Sequence, residues 1–219
     1  SNEFIRLHRN PLYWDQPAAL ERLAFDYTPR PTKRLAKLLT GECQVMAFPA
    51  ASQLDFIRKQ SHLRLDEESA LNTAFLALNV RKKPFDDLRV RQAIAMGINR
   101  DNLLKAVYFG TGEWANTLLP PISWAHNPNI GEYGYDPIAA KALLKKAGLE
   151  AGFEMTLWVQ PANQTYNPNA QKTAQLIQSD LAKLGIEVQV AQLRGTLMQI
   201  LLQEGRHDAV VMGWNADTA

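Results

Sequence analysis

The sequence lacks the features that mark a membrane protein, a disulfide-stabilised scaffold or a nucleic-acid-binding protein. Its 219 residues include a single cysteine, Cys43, which cannot form an internal disulfide and which we interpret as a free structural thiol. No apolar run approaches the ~20 residues that are needed to cross a bilayer. The 24 lysine and arginine residues are balanced by 22 aspartate and glutamate residues, so the net charge is only +2. We therefore expect a globular chain with no direct nucleic-acid partner.

Catalytic and metal-binding motifs are also missing. The four histidines, His8, His62, His126 and His207, are scattered without metal-ligand spacing, and there is neither a phosphate-binding glycine loop nor a nucleophile elbow. His207 is followed by Asp208, but neighbours on a strand point to opposite faces, which disfavours a catalytic dyad. The sequence therefore predicts a protein that is not an enzyme and that has neither a metal site nor a cofactor.

The sequence does contain a regular alternation of strand-like and helix-like segments, which predicts an α/β or α+β fold. In the first third, Pro31 and Gly41 fit the start and the stop of a helix. We predict a compact β/α unit there. Its predicted strands cover residues 22–28, 43–48 and 62–66, and its helices begin at residues 31 and 49.

The rest of the chain is predicted to form a second α/β region, residues 72–217. Asp86 or Asp87 is expected to cap the first helix, Asp136 the third and Asn167 the long helix that stops at Gly185. The stretch 111–134 is rich in proline and aromatic residues and is predicted to be a functional loop or one that wraps the surface. The predicted strands cover residues 72–80, 153–159, 186–193 and 210–213, and the helices cover residues 88–98, 102–110, 136–148, 168–184 and 196–204.

Both ends of the sequence look cut. The first two residues resemble the remnant of a processed tag, and "EFIRLHRN" begins at once with strand-like alternation. We expect the chain to be part of a longer protein whose leader lies outside it.

Several motifs resemble one known family, and they occur in that family's order. They are "RNPLYW" (9–14), "LNVRKKPFDDLRVRQAIAMGINRDNLLKAVYFGTG" (78–112), "YDPIAAKALLKKAG" (135–148), "YNPNAQKTAQLIQSDLAKLGIEV" (166–188) and "VVMGWNAD" (210–217). The sequence resembles the extracytoplasmic solute-binding proteins, family 5, of dipeptide, oligopeptide, nickel and haem ABC importers. Within the family it is most similar to the Sap-type peptide-transport component and the dipeptide binder.

The resemblance implies an α/β fragment of a two-lobed clamshell of the type II-like periplasmic-binding-protein class, with mixed sheets flanked by helices. Residues 1–70 would form the later part of the first lobe. Residues 71–219 would form most of the second, ligand-binding lobe, with Val210 to Gly213 in a buried strand.

The resemblance also implies a ligand site at the end of the chain. Asp217 would receive the positively charged amino terminus of a peptide, Trp214 would wall the pocket, and Asn215 lies between them. The alternative is that Asp217 caps a following helix and that Trp214 packs in the core.

One position departs from the dipeptide binders, which place an arginine in the loop before the "YNPN" motif. Gln164 stands there in this sequence, and a glutamine cannot form the bidentate charged clamp of an arginine on a carboxylate. Longer peptides, amine-bearing ligands and haem therefore stay open. Asn163 and Tyr166 are candidates for the same rim, with loop solvation as the alternative.

The function that the resemblance implies is the binding of peptides or similar ligands in the periplasm and their delivery to the permease of a membrane ABC transporter. We expect a monomer whose signal peptide lies outside the chain. The alternative is the ligand-sensing domain of a bacterial transcription regulator with the same fold. A signal peptide or a helix-turn-helix pattern in the preceding sequence would discriminate between the two.

Overall fold

The computed structural model describes residues 4–161 and 164–215. The chain divides into two compact units, Ser1–Leu65 and Asp66–Ala219. This division falls a few residues before the predicted change of lobe at residues 69–72. The assignment of these units to lobes stays a prediction.

The first unit is built around a two-stranded antiparallel sheet. Strand β1 (Phe4–His8) pairs with β2 (Arg22–Asp26), and every residue of β1 is exposed. Helix α1 (Pro31–Leu39) begins at the predicted proline, and a 3-10 turn (Ala51–Gln53) leads into the short helix α2 (Leu54–Arg58). Leu54 and Ile57 are the buried residues of α2.

Two strands predicted in this unit are absent, so the prediction of a β/α unit with strands at residues 43–48 and 62–66 is wrong. The carbonyl of Phe48 accepts a hydrogen bond from the Arg34 guanidinium at 3.0 Å, and Phe48 itself has a positive φ of 52°. Leu63 donates its N–H to Gln60 O in a turn at 3.1 Å. Apolar composition predicted strands here, but side-chain and turn hydrogen bonds replace the ladder that a strand requires.

A charged cluster takes part in the packing of the first unit. The Lys37 ammonium is nearly buried and donates to the carboxylates of Asp26 and, at 2.7 Å, Glu42. The hydrogen bond from Lys37 lowers the pKa of the Asp26 carboxyl, and the same bond raises the pKa of Lys37. The cluster therefore joins β2 to α1 and to the turn that follows it.

The second unit contains a four-stranded mixed sheet. Its strands are β3 (Asn72–Leu78), β4 (Phe153–Val159), β5 (Ile186–Gln192) and β6 (Ala209–Asn215), in the order β3-β6-β4-β5. Strand β3 runs antiparallel to β6, whereas β4 runs parallel to both β5 and β6. The predicted strand at Val210 to Gly213 is confirmed as the middle of β6, with Val210 and Val211 buried and Met212 and Gly213 half-buried.

Helices cover both faces of this sheet. On one face lie α3 (Leu88–Gly97), α5 (Pro137–Lys146) and α6 (Ala170–Ala182), and their core includes Val90, Ile94, Leu144, Leu157, Leu181, Ile186 and Val211. On the other face, Met198 of α7 (Gly195–Gln203) packs with Trp158 and Val210. Val211 of β6 packs in the first of these cores and Val210 in the second, because successive side chains of a strand point to opposite faces.

Two predicted helix caps are confirmed and one is wrong. Asp87 accepts from Arg89 N at 2.8 Å, and Asp136 accepts from Ile138 N and Ala139 N. Helix α6 begins at Ala170, and its cap is Asn169, whose side chain accepts from Lys172 N at 3.0 Å. Asn167, the predicted cap, is buried instead, and its Oδ1 accepts from the hydroxyl of Thr173 at 2.9 Å.

The segment between α3 and α5 starts with helix α4 (Arg100–Leu103) and a π-helical turn (Leu104–Tyr108). The predicted loop at 111–134 follows, without a helix or strand, and contacts helices α3 and α4 of the same unit. The Arg100 guanidinium lies 4.1 Å from the centre of the Trp114 ring, and Gln92 donates to the hydroxyl of Tyr133 at 3.0 Å. Within residues 4–161 and 164–215, no helix combines the length and the apolar character that a bilayer crossing requires.

Asn79 directly follows β3 and links it to the segment that leads into β6. Its Nδ2 donates to the carbonyls of Gly205 and His207, both at 2.9 Å, and its Oδ1 accepts from Arg81 N at 3.2 Å. The side chain is buried, so truncation leaves carbonyl groups without a partner.

We expect Asn79→Ala to lower the free energy of unfolding by about 2 kcal/mol, since buried hydrogen bonds contribute roughly 1 kcal/mol each. Urea-induced unfolding monitored by tryptophan fluorescence would measure the loss. Asn102→Ala, at an exposed position of α4, is the matched control and should change stability by less than about 0.5 kcal/mol. Equal effects of the two substitutions would contradict the role given to Asn79.

Candidate functional site

The carboxyl ends of β4, β5 and β6 lie at one edge of the sheet, because the three strands are parallel. The chain leaves β4 through α6 to β5 on one side, and then returns through α7 to β6 on the other side of β4. The strand order therefore reverses between β4 and β6. In open α/β sheets, ligands bind in the crevice at such a point.

Strand β6 is offset along its neighbour β4 and reaches farther at this edge. Leu157 and Trp158 of β4 pair with Ala209 and Val210, so the last residues of β6 extend past the end of β4 and pair with β3 alone. The loop after β4 reaches this overhang. We name the rim as Gln160, Gln164, Thr165, Tyr166 and Asn167 of that loop together with Gly213, Trp214 and Asn215 of β6.

Backbone hydrogen bonds within the loop hold the loop part of the rim in a turn. Gln164 N donates to Asn167 O and Asn167 N donates to Gln164 O, each at 3.0 Å. The Gln164 side chain donates to Oε1 of Gln160 at 2.8 Å. Because Thr173 also donates to the buried Asn167 side chain, the end of the turn is fixed to α6.

Two contacts attach the loop to β6. The hydroxyl of Thr165 donates to Asn215 Oδ1 at 3.2 Å. The Tyr166 ring lies directly on the backbone of Gly213, where an added Cβ would be 2.2 Å from ring atoms Cγ and Cδ2. Glycine is therefore required at this position if the ring is to stay where it is.

A third segment supports the loop from outside the rim. The hydroxyl of Tyr108, in the π-helical turn, donates to the carbonyl of Tyr166 at 2.7 Å. Burial raises the pKa of Tyr108 to about 12, and burial also raises the pKa of Tyr166. Both phenols therefore stay protonated at neutral pH.

Trp214 projects from the other face of β6, because Gly213 and Asn215 flank it on the strand. Its side chain is 69% exposed, so it is not part of the core of the second unit. An exposed indole at the carboxyl edge of a sheet can provide an apolar wall with one hydrogen-bond donor.

The structure brings together four of the six predicted site residues. Gln164, Tyr166, Trp214 and Asn215 all lie on the rim, whereas Asp217 and Asn163 lie outside the described residues. The sequence interpretation missed Gln160, Thr165, Gly213 and Tyr108. The glycine in the middle of an apolar strand was the one available signal, since such a glycine often marks a close approach of another group.

The rim presents neutral hydrogen-bonding groups rather than charge. The segment 160–169 contains no lysine or arginine, and its side chains are amides, hydroxyls and prolines with a single alanine. Within the described part of the chain, no three histidine, cysteine, aspartate or glutamate side chains are grouped so that they could hold a metal ion. The rim can therefore hydrogen-bond a polar ligand, but it offers no cation for an anionic group.

His207 and Asp208 lie at the other end of β6 and do not form a dyad. Asp208 accepts from Thr156 N and from the Lys82 ammonium, both at 3.0 Å. The His207 ring packs against the Trp158 ring at 6.0 Å between centroids, and burial lowers its pKa. Both residues serve the packing of the sheet.

Residues 1–219 match the middle part of the bacterial extracellular solute-binding proteins, family 5. The chain belongs to this family. The resemblance read from the sequence motifs is thus confirmed.

Curated relatives of this family 5 chain include two proteins of Escherichia coli strain K12. The chain is 41% identical to the dipeptide-binding protein over 94% of its own length and 38% of that protein. It is 38% identical to the probable ABC transporter periplasmic-binding protein SapA over its full length and 40% of that protein. It therefore spans about two fifths of the length of these relatives.

A solved structure gives the same picture of the fold. The dipeptide-binding protein of Pseudoalteromonas sp. SM9913, in complex with Met-Leu, superposes with a TM-score of 0.80 at 42% identity, covering 98% of this chain and 42% of that one. The predicted fold class, an α/β part of a periplasmic binding protein, is confirmed. These matches give no support to the alternative of a regulator's sensing domain.

Proposed function

We propose that this chain is the ligand-receiving part of a periplasmic binding protein that delivers peptides to a membrane ABC transporter. The observation that carries the proposal is the rim: preformed hydrogen-bonding groups and an exposed indole at the reversal point of the sheet, in a chain of the family 5 solute-binding proteins. A dipeptide-binding relative at 41% identity supports the same substrate class.

The two units correspond, in this proposal, to parts of two lobes. Residues 1–70 are the later part of the first lobe and residues 71–219 are most of the ligand-binding lobe. A binding protein of this kind encloses its ligand between lobes, which removes water and lets both surfaces contribute contacts. It binds and releases its ligand without chemical change, acts as a monomer, and has the transporter's permease as its partner.

Each of the six predicted site residues has a proposed role toward an extended peptide. Asp217 pairs with the ligand's amino group, and Trp214 packs on a side chain beside it. Asn163, Gln164 and Asn215 offer amide donors and acceptors to the peptide backbone, and Tyr166 contributes its phenol.

The neutral rim also bears on the length of the ligand. A dipeptide ends in a carboxylate close to its amino group, and a bidentate ion pair with that carboxylate needs an arginine side chain. The segment 160–169 has none. Peptides of three or more residues, whose carboxylate lies farther from Asp217, therefore suit this rim better than dipeptides do.

Titration calorimetry of the full-length protein with alanine peptides of two to five residues tests this function. We expect binding of the longer peptides, weaker binding of dialanine, and at least tenfold weaker binding of N-acetylated tetra-alanine, which has no positive charge at its amino end. Failure of every unmodified peptide to bind would refute the proposal. Equal affinity for acetylated and unmodified tetra-alanine would refute the role of the amino group.

A further inference from the structure

We infer that Tyr108 is a positioning residue that holds the rim in its binding geometry from outside the ligand site. The inference rests on the proposed function for the significance of the rim, but the contact itself belongs to the structure of this chain. Tyr108 lies 58 residues before Tyr166 in the sequence, and its hydroxyl donates to the Tyr166 carbonyl at 2.7 Å.

Tyr108 is itself held in place. Its own carbonyl accepts from Thr111 N at 2.9 Å and from the Thr111 hydroxyl at 2.6 Å. The following residues, Phe109 and Gly110, both have positive φ, and they end the π-helical segment directly after Tyr108. The Tyr108 backbone is therefore held in place, and its phenol can hold the loop through the Tyr166 carbonyl.

The anchored carbonyl is central to the rim. Thr165 on one side of Tyr166 reaches Asn215, and Asn167 on the other side forms the two-way backbone pair with Gln164. The Tyr166 ring rests on Gly213. A shift of the Tyr166 backbone would change all of these contacts together, so the single hydrogen bond from Tyr108 controls where the polar groups of the rim point.

The Tyr108 hydroxyl donates its proton to the Tyr166 carbonyl and has none left to donate to a ligand. Tyr108 lies in the π-helical turn and not on β4 or β6, the strands that flank the crevice. Its effect on a ligand must therefore pass through the loop. This distinguishes a positioning residue from one that contacts the ligand, and it predicts an effect that is present before any ligand is added.

Hydrogen exchange of the ligand-free, full-length protein tests the inference with Tyr108→Phe, which removes one oxygen atom and keeps the ring. We expect the amides of Gln164 and Asn167 to exchange about fivefold to tenfold faster, the range that one lost hydrogen bond produces. The amides of β6 from Ala209 to Val211 should be unchanged. Thr111→Val, which loosens the Tyr108 backbone, should produce a smaller change at the same two amides.

The matched control is Tyr133→Phe, which removes a hydroxyl that accepts from Gln92 and leaves the rim untouched. Unchanged exchange at Gln164 and Asn167 in Tyr108→Phe would overturn the inference. A uniform increase that includes β6 would overturn it as well, because it would show a general loss of stability instead of local positioning.

A binding measurement then separates this inference from the proposed function. Tyr108→Phe should weaken tetra-alanine binding about fivefold to tenfold, and Tyr133→Phe should not. If the unsubstituted protein binds no alanine peptide, the proposed function fails while the exchange result still decides the positioning role. If the exchange changes as expected and the affinity does not, the rim contacts are not used by the ligand and the inference about binding geometry fails.

Discussion

Asp217→Ala is expected to weaken peptide binding by the full-length protein at least a hundredfold. The ligand's ammonium group needs a carboxylate, and the segment 160–169 and the end of β6 supply only neutral groups before Asp217 is reached. A charge-assisted hydrogen bond is roughly twice as strong as a neutral one, and its loss in an enclosed site leaves the ammonium unpaired. A hundredfold change corresponds to about 2.7 kcal/mol, within the range for truncating one member of a buried charged pair.

The controls for this prediction separate charge from shape. Asp217→Asn keeps the size of the side chain and should lose most of the affinity, because the charge is what the ammonium requires. Glu187→Ala removes an exposed carboxylate near the start of β5, at the other edge of the sheet, and should leave the affinity unchanged. Titration calorimetry with tetra-alanine measures all three variants. An Asp217→Ala variant that binds within threefold of the unsubstituted protein would remove Asp217 from the site.

The sheet and helices of the second unit could be predicted from the sequence because their residues carry two independent signals. Val188, Val210 and Val211 belong to short segments rich in strand-forming residues, and Gly185, which has a positive φ, lies in the turn between α6 and β5. The caps at Asp87 and Asp136 follow from local chemistry alone, since an aspartate before a helix satisfies its own N–H groups. Local rules succeed where the competing interactions are also local.

The wrong predictions arise where a side chain forms a hydrogen bond that the local sequence pattern does not indicate. Residues 43–48 have the composition of a strand, but the carbonyl of Phe48 is taken by Arg34, fourteen positions earlier. Asn167 precedes a proline and resembles a cap, but a buried hydrogen bond with Thr173 gives it another role. A pattern in the sequence does not reveal which distant side chain will compete for a backbone group.

In the candidate site, too, some residues could be predicted from the sequence and others, which depend on distant contacts, could not. Gln164, Tyr166, Trp214 and Asn215 were found through motifs that resemble a known family, and the sheet topology brings them together. Tyr108 was not found, because its hydroxyl reaches the rim from a π-helical turn that helical periodicity cannot predict. The contacts that hold a site in place are less visible in a sequence than the groups that face the ligand.

Gly213→Ala is expected to destabilise the second unit by about 3 kcal/mol, at the upper end of the range for overpacking. The new Cβ would lie 2.2 Å from Cγ of Tyr166, the ring atom nearest the backbone, so rotating the end of the side chain gives no relief. The Tyr166 backbone is also unable to retreat easily, because Tyr108 holds its carbonyl. Either the loop must leave its place or β6 must bend.

Removing the ring should relieve this strain, which makes the prediction a test of one specific contact. In the background of Tyr166→Ala, the added Gly213→Ala should cost less than about 1 kcal/mol, and the difference between the two costs is the coupling between the residues. Gly195→Ala is the matched control, because a Cβ at Gly195 meets no atom within 4 Å. Urea unfolding of the four variants and the unsubstituted chain gives each free energy. If Gly213→Ala costs the same with and without the Tyr166 ring, the ring does not rest on Gly213, and the rim geometry described for the ligand-free chain is wrong.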